Sequence, residues 1–393
     1  MTAHAETSLH GRFNYPVDYR IGAGCASALA QATRELAISR PLIVTDPGVR
    51  TLDWFTPLCD GLATAGITAA VFSDIAENPS DSDIAQGIAA FAEHRADGCI
   101  LIGGGSVLDA GKCIALLAHN RLDVFALEDG REDWQQVETD RIAPTIALPT
   151  TAGTGSEVGR AAVIRDPRDG SKKIIFHPQL APNRVLADPV LTAGLPPRLT
   201  AATGMDAFAH CFEAFCAPAY HPMADGIALE GMRLIGSHLV AAFDDGADLA
   251  ARTQMLMAAA MGATAFQKGL GLIHALSHPL GGLSGLHHGT ANAIFQPYVM
   301  VHNRSFIETK CARIASALEL EDIGFDPLLE WVLELRGRLG LPASLAGVID
   351  KSLVPEIARL AARDPSLATN PKFCSLPELE RVLLKTIDGD LSP

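Results

Sequence analysis

Residues 99–112 read CILIGGGSVLDAGK. Four apolar residues, two of them β-branched, run directly into Gly103, Gly104 and Gly105, and residues 107–118 then take up helical spacing. That is a buried strand, a tight turn and a helix, the repeating unit of a parallel sheet covered by helices on both faces. The same alternation recurs on either side. Segments 41–46 (PLIVTD, stopped by Pro47-Gly48), 67–72, 142–148 and 184–187 read as strands, and 82–94 reads as a helix. There is no internal repeat and no low-complexity tract. Near 188–197 the composition changes. Strand signals fade there, and Ala/Leu/Met-rich helical stretches follow at 199–216, 224–243, 248–267, 304–318, 327–339, 352–363 and 377–386. The expected architecture is an α/β domain over 1–192 with a mainly parallel, Rossmann-like sheet, followed by an all-α domain over 193–393.

A chain of 393 residues that is 48% hydrophobic can bury the large core that two domains need. Charged residues are 19% and the formal net charge is −14, which argues against disorder and against nucleic acid or anionic membrane as partners. The eight cysteines are scattered without a C-x-x-C pair, as expected of reduced thiols in a reducing compartment. The start, MTAHAETSLHGRFNYPVDY, lacks a basic segment followed by an apolar one, and no uncharged apolar run of about 18 residues follows. The expectation is a soluble cytoplasmic protein.

Three polar features sit at strand ends. At 103–106, glycines without β-carbons allow close approach of a pyrophosphate to the N–H groups that open a helix. The spacing is not G-x-G-x-x-G, and a plain tight turn fits the residues as well. Asp46, after an earlier strand, is placed to accept hydrogen bonds from a ribose and to repel the extra phosphate of NADP. It precedes the glycines rather than following them, and a helix cap before Pro47 is the alternative. The third, PTTAGTGSE at 149–157, offers hydroxyls and N–H groups; a capping box from Thr154 to Glu157 explains it equally.

The second half contains GLGLIHALSHPLGGLSGLHHGTANAIFQPY, 269–298, with four of the thirteen histidines. Residues four apart share a helix face, so His274 and His278 point together, as do Asp206 and His210 upstream. With His288 these side chains can cage one divalent ion, and the donor set suits Fe(II) and Zn(II) alike. Structural alternatives exist for each. Asp206 can cap a helix begun at Thr203-Gly204, His210 can pack in a core, and His278 can end its helix before Pro279.

Taken together, GGGSVLDAGK (103–112), LPTTAGTGSE (148–157), ATGMDAFAH (202–210), GLIHALSHPLG (271–281) and HHG (287–289) resemble the iron-containing, or group III, alcohol dehydrogenase family over essentially the whole chain. The resemblance implies an N-terminal dinucleotide-binding domain and a helical domain, the dehydroquinate synthase-like architecture, with a metal in the cleft. It implies the ligands Asp206, His210, His274 and His288, the last chosen over His287 because it directly precedes Gly289. It places His278 near the metal beside the substrate, where an imidazole of ordinary pKa, about 6.5, suits proton relay. Around the dinucleotide it places Asp46, Asn78, Gly103, Gly104, Gly105, Ser106, Asp109, Thr150, Thr151 and Lys172, with Lys173 one residue away.

The implied cofactors are NAD and a divalent metal, iron first and zinc second. The implied activity is reversible interconversion of a small alcohol with its aldehyde or ketone, in a homodimer or larger homo-oligomer. Rival readings are a hydroxyacid–oxoacid transhydrogenase, a dehydroquinate-synthase-like lyase, a polyol dehydrogenase and a non-enzymatic metal-binding protein. Phosphorylated or multiply acidic substrates call for several basic residues, and the helical half near these ligands is poor in them. Arg160, just after the 149–157 turn, is placed either to anchor a carboxylate or phosphonate or to satisfy backbone acceptors. Ala161, Ala265 and Gly269 leave an open pocket if they line it.

Overall fold

The structure, a computed structural model, describes residues 17–168 and 170–392. The reading of the N-terminus falls largely outside these residues. The α/β half contains strands β1 (Asp18–Ile21), β2 (Pro41–Val44), β3 (Ala70–Phe72), β4 (Gly98–Gly103), β5 (Thr145–Pro149), β6 (Ala161–Arg165), β7 (Lys172–Phe176) and β8 (Arg184–Ala187). Six of them form one parallel sheet in the order β1-β8-β5-β4-β2-β3, while β6 and β7 pair as a separate antiparallel hairpin. Helices α1 (Leu29–Glu35), α2 (Pro47–Arg50), α3 (Phe55–Thr64), α4 (Asp81–His94) and α5 (Gly105–Leu117) belong to the same half.

Alternate residues of the central strands serve opposite faces. Leu42, Val44, Cys99 and Leu101 pack with Ile84 and Phe91 of α4 and Val107 of α5. Ile43, Ile100, Ile102 and Leu148 pack with Phe55 and Leu62 of α3. Both faces are therefore covered, which explains why the strands read as unbroken apolar runs. From β2 the chain moves outward to β3, then returns to the far side of β2 for β4. The order reverses between β2 and β4, the place where parallel α/β sheets bind ligands beyond the strands' C-terminal ends. The Thr45 hydroxyl, donating to the Ile102 carbonyl at 2.8 Å, ties the two strand ends together.

Several expected boundaries differ. Of 67–72 only Ala70–Phe72 pairs, and the strand expected from 142 begins at Thr145, after Pro144. Strand β1 and the β6–β7 hairpin were not expected. The hairpin is bordered by Arg165, Lys172 and Lys173, so its composition reads as loop.

The helical half comprises α6 (Pro197–Cys216), α7 (Pro222–Asp244), α8 (Leu249–Ala265), α9 (Leu272–Ser284), α10 (His288–Ala317), α11 (Phe325–Arg338), α12 (Val354–Ala361) and α13 (Leu376–Asp388). Its core closes on Met205, Phe208, Phe212, Ile235, Leu276 and Phe295, all fully buried. Helix α6 starts at Pro197, so Asp206 lies in mid-helix and does not cap it. Pro279 sits inside α9, so the helix continues past His278 to Ser284. Pro297 likewise lies inside α10, a 30-residue helix that was expected to begin only at 304. An internal proline costs about 3 kcal/mol through its lost N–H and its clash with the preceding turn; the full burial of Ile294, Phe295 and Met300 around it offsets that loss. Among the described residues no single helix is long and apolar enough to cross a membrane.

Candidate metal centre and dinucleotide crevice

Helix α6 supplies Asp206 and His210, α9 supplies His274 and His278, and α10 opens with His288. The Oδ1 atom of Asp206 lies 3.9 Å from His210 Nε2, 3.9 Å from His274 Nε2 and 3.5 Å from His288 Nε2. Four donors held at about 2.0–2.2 Å around a tetrahedral ion stand roughly 3.3–3.6 Å apart. The three distances to Asp206 Oδ1 fall within a few tenths of an ångström of that spacing. Asp206, His210 and His274 form a group whose donor atoms all lie within 4.8 Å of one another, with His288 approaching it on the Asp206 side. The His210 and His274 rings stack with centroids 4.6 Å apart. His287 instead precedes the first turn of α10, so His288 is the member of the pair that joins the cage. Gly289 explains how: a β-carbon there would stand 2.2 Å from the Ala202 carbonyl oxygen, so only glycine lets α10 start this close to α6.

Behind the donors stand groups the sequence reading passed over. The Glu213 carboxylate, one turn past His210, accepts from His274 Nδ1 and from the Ile273 backbone N–H, both at 2.6 Å. It fixes the ring so that Nε2 faces the cage, the arrangement that supports a metal-bound imidazole. Asn292, one turn past His288, donates from Nδ2 to Asp206 Oδ1 at 2.7 Å and lies 3.2 Å from both His274 Nε2 and His288 Nε2. Its Oδ1 and the Gln296 amide have no partner among the described residues, so uncompensated polar atoms remain buried under the cage. His278 is held from the far end of the chain: its Nδ1 pairs with Asp364 Oδ2 at 2.8 Å. Glu213 and Asn292 were within reach of periodicity, being one turn from a candidate ligand. Asp364 carries no local signal.

Burial pushes the His210 imidazole down to about 4. Burial, reinforced by the Lys172 charge, also pushes His288 well below the ordinary histidine range. Both rings are therefore neutral at pH 7, the form that ligates metals. Burial opposes protonation of His274 too, but the hydrogen bond and charge of Glu213 outweigh it and hold that ring above its ordinary value.

The second group lies at the ends of the parallel strands. Asp46 follows β2 and does cap α2, with Oδ1 accepting from the Val49 N–H at 2.8 Å. Gly103 ends β4, Gly104 precedes α5, and Gly105 and Ser106 form its first residues. The Ser106 hydroxyl donates to the Glu77 carbonyl, which brings the exposed Asn78 loop against the glycine turn. Thr150 donates its N–H to the Gly103 carbonyl at 3.1 Å, and the Thr151 side chain lies about where a Gly104 β-carbon would touch it, at 3.3 Å. Asp109 is buried and engaged at both oxygens, by the Ser156 hydroxyl at 2.5 Å and the Val163 N–H at 2.9 Å, with Lys112 Nζ 3.2 Å away.

Of the two adjacent lysines, Lys173 pairs outward with Glu128 at 3.2 Å. Lys172 points inward, where burial lowers its pKa and Asp206, Asp109 and Glu77 oppose that. It thus stands between crevice and cage. Thr154 does not cap Ser156–Val158. Gly155, left-handed at φ 63°, occupies that position, and Glu157 is buried.

A cavity of about 630 Å³ lies between the β6–β7 hairpin and the helical half. Arg160, Ala161 and Gly269 line it, whereas Ala265 is fully buried and does not. It abuts the cage: Phe266 lines it and packs on the His210 ring at 5.2 Å, and Pro365 and Ser366 line it directly after Asp364.

Two family models match the chain, one described as iron-containing alcohol dehydrogenase over residues 16–189 and one as the C-terminal part of the Fe-containing alcohol dehydrogenase family over 200–387. The chain is 41% identical over 373 residues to a 4-hydroxybutyrate dehydrogenase of Cupriavidus necator, covering 92% of this chain and 95% of that one. It is 32% identical over 369 residues to a 1,3-propanediol dehydrogenase of Klebsiella pneumoniae, covering 89% and 92%. Among solved structures, a 1,3-propanediol oxidoreductase superposes with a TM-score of 0.90 at 30% identity, covering 96% of this chain and all of that one.

Proposed function

The chain belongs to the iron-containing alcohol dehydrogenase family and is an NAD(H)-linked oxidoreductase of alcohols, and we propose that Asp206, His210, His274 and His288 hold its divalent ion while the β2–β4 crevice holds the dinucleotide. In the oxidative direction the carbinol carbon gives a hydride to NAD and the hydroxyl gives up a proton, leaving a carbonyl compound and NADH; reduction reverses both transfers. The observation that carries the proposal is the convergence of three imidazole Nε2 atoms on one buried carboxylate oxygen, within 3.9 Å. When bound, the ion supplies Lewis acidity at the alcohol oxygen and the dinucleotide takes the hydride.

The protein's own groups do the rest. Glu213 keeps His274 Nδ1 protonated and its Nε2 available. His278 donates its Nδ1–H to Asp364, which leaves Nε2 to accept the alcohol proton and pass it outward. Gly103–Ser106 at the start of α5 offer N–H groups to a pyrophosphate, with Asn78, Thr150 and Thr151 at its sides. Capping occupies Oδ1 of Asp46 and leaves Oδ2 for a ribose hydroxyl. Asp109 acts by holding Ser156 and the hairpin in place. Lys172 brings a positive charge to the boundary between nicotinamide and cage.

We place the domain boundary at 192/193, between the last strand of the sheet and α6, where the two family matches also part. The metal is taken as iron, after the family, since the donor set suits zinc equally. A cytoplasmic homodimer or larger homo-oligomer completes the proposal, and the eight free cysteines agree with a reducing compartment. The test is NADH formation over a panel of alcohols by protein reconstituted separately with iron and with zinc. Formation with at least one primary alcohol is expected. Absence of NADH with every alcohol and both metals would overturn the proposal.

A further inference from the structure

Arg160 combines a fixed backbone with an uncommitted head group. Lys112 Nζ donates to the carbonyls on either side, Gly159 at 3.4 Å and Ala161 at 2.5 Å, and the Arg160 carbonyl accepts from the His177 N–H at 3.3 Å. The residue is therefore held on both flanks at the start of β6. Its guanidinium, by contrast, has no hydrogen bond and no ion pair among the described residues; it rests over the Phe176 ring, 5.7 Å from the centroid. Half-buried Arg184, by contrast, is committed to Asp18 and Glu35, and buried Arg252 to Thr200 and backbone carbonyls. Five N–H donors in a planar fork, left unpaired beside a cavity, match a carboxylate.

The cavity supplies the other half of the match. Its walls are mostly apolar, including Ile174, Ile227, Met257, Met261 and Leu270, and one side abuts His210 through Phe266 and His278 through the segment after Asp364. Among its lining residues only Arg160 and Asp129 carry charge. Asp129 is exposed, with Oδ1 already accepting from the Gly130 N–H, so it belongs to the solvent side. A molecule filling this space lies against the wall that the cavity shares with the cage, Phe266 and Pro365-Ser366, with hydrocarbon around it and one guanidinium among the lining. The net charge of −14 makes a local cation the more necessary for an anionic ligand.

We propose that Arg160 binds the carboxylate of the substrate, and that the substrates are ω-hydroxy carboxylates and the corresponding aldehyde acids. This rests on the alcohol dehydrogenase reading and adds the substrate class. The guanidinium takes no part in the redox step; it selects and orients the chain so that the terminal carbinol meets the cage.

The test compares kcat/KM, at saturating NAD and constant metal, for 4-hydroxybutanoate and 1-butanol in the wild type, Arg160→Gln and Arg160→Lys. The ratio of the two constants cancels any general loss of folded enzyme. The wild type favours the hydroxy acid, and Arg160→Gln lowers the ratio by about 100-fold, mainly through KM, the scale of one lost charge-assisted bidentate contact. Arg160→Lys recovers part of the loss. A ratio that moves less than about threefold in Arg160→Gln, with both substrates turned over, overturns the role of Arg160 and leaves the dehydrogenase reading intact. No NADH from either substrate, or from any other alcohol, overturns that parent reading and this one with it.

Discussion

The two halves of the site are built on opposite principles. At the crevice the groups proposed to meet the dinucleotide are mostly backbone, a glycine turn and a helix start, and the side chains around them use their hydrogen bonds to fix loops: Ser106 on Glu77, Asp46 on Val49, Thr45 on Ile102. At the cage the groups are side chains on three long helices, each placed by helical geometry and several held by a second side chain. A backbone site tolerates change in any one residue, because its N–H groups belong to every residue type but proline. A cage of four donors does not, because removing one leaves an ion short of a ligand and its neighbours buried without a partner.

The difference can be broken, or sharpened, by substitution. The largest effect is expected from His274→Ala, which removes a donor: metal content per chain, by elemental analysis, falls to near zero and turnover disappears. Retained metal would mean that the cage is not a unit. Glu213→Gln keeps every ligand and weakens only the support of His274, so metal affinity should fall by about 10–100-fold in a competitive chelator titration. An unchanged affinity would confine Glu213 to capping the Ile273 N–H.

Gly289→Ala pushes a β-carbon against the Ala202 carbonyl and should cost roughly 1–3 kcal/mol by denaturant unfolding, as overpacking does. At the crevice, Asp46→Gly should lower the preference for NAD over NADP by about tenfold, the order of one lost charge repulsion in a half-exposed place. An unmoved NAD/NADP ratio would reduce Asp46 to its capping bond.

The last prediction concerns pH. Burial pushes the Glu157 carboxyl up to about 7. Its folded value lies above the unfolded one, so the folded state keeps a proton that the unfolded chain releases, and stability declines from about pH 4.5 to about pH 7. Glu157→Gln should flatten that decline between unfolding midpoints measured at pH 5 and pH 8. An identical decline would place the proton elsewhere.

What could be read in advance follows the same division. Periodic features were legible: the strand-turn-helix at 99–112, and the i,i+4 pairs on α6 and α9 that fall on one face wherever the helices end. The helix limits around those pairs were less so, because Pro279 reads as a breaker and the next helix was expected only from 304, while the packed helical core holds α9 and α10 through Pro279 and Pro297. The β6–β7 hairpin stayed hidden behind its flanking charges. Partners distant in sequence were out of reach. Asp364 meets His278 across 86 residues, and no local pattern announces such a pair. Glu213 is a different case: it sits one turn past His210, but its meaning depends on His274 arriving 61 residues later.

The most direct measurement is anomalous diffraction at the iron or zinc absorption edge from crystals of the reconstituted protein. One peak per chain is expected, within bonding distance of Asp206, His210, His274 and His288. A fully active enzyme with no peak at that point, or with its only peak elsewhere, would contradict the assignment.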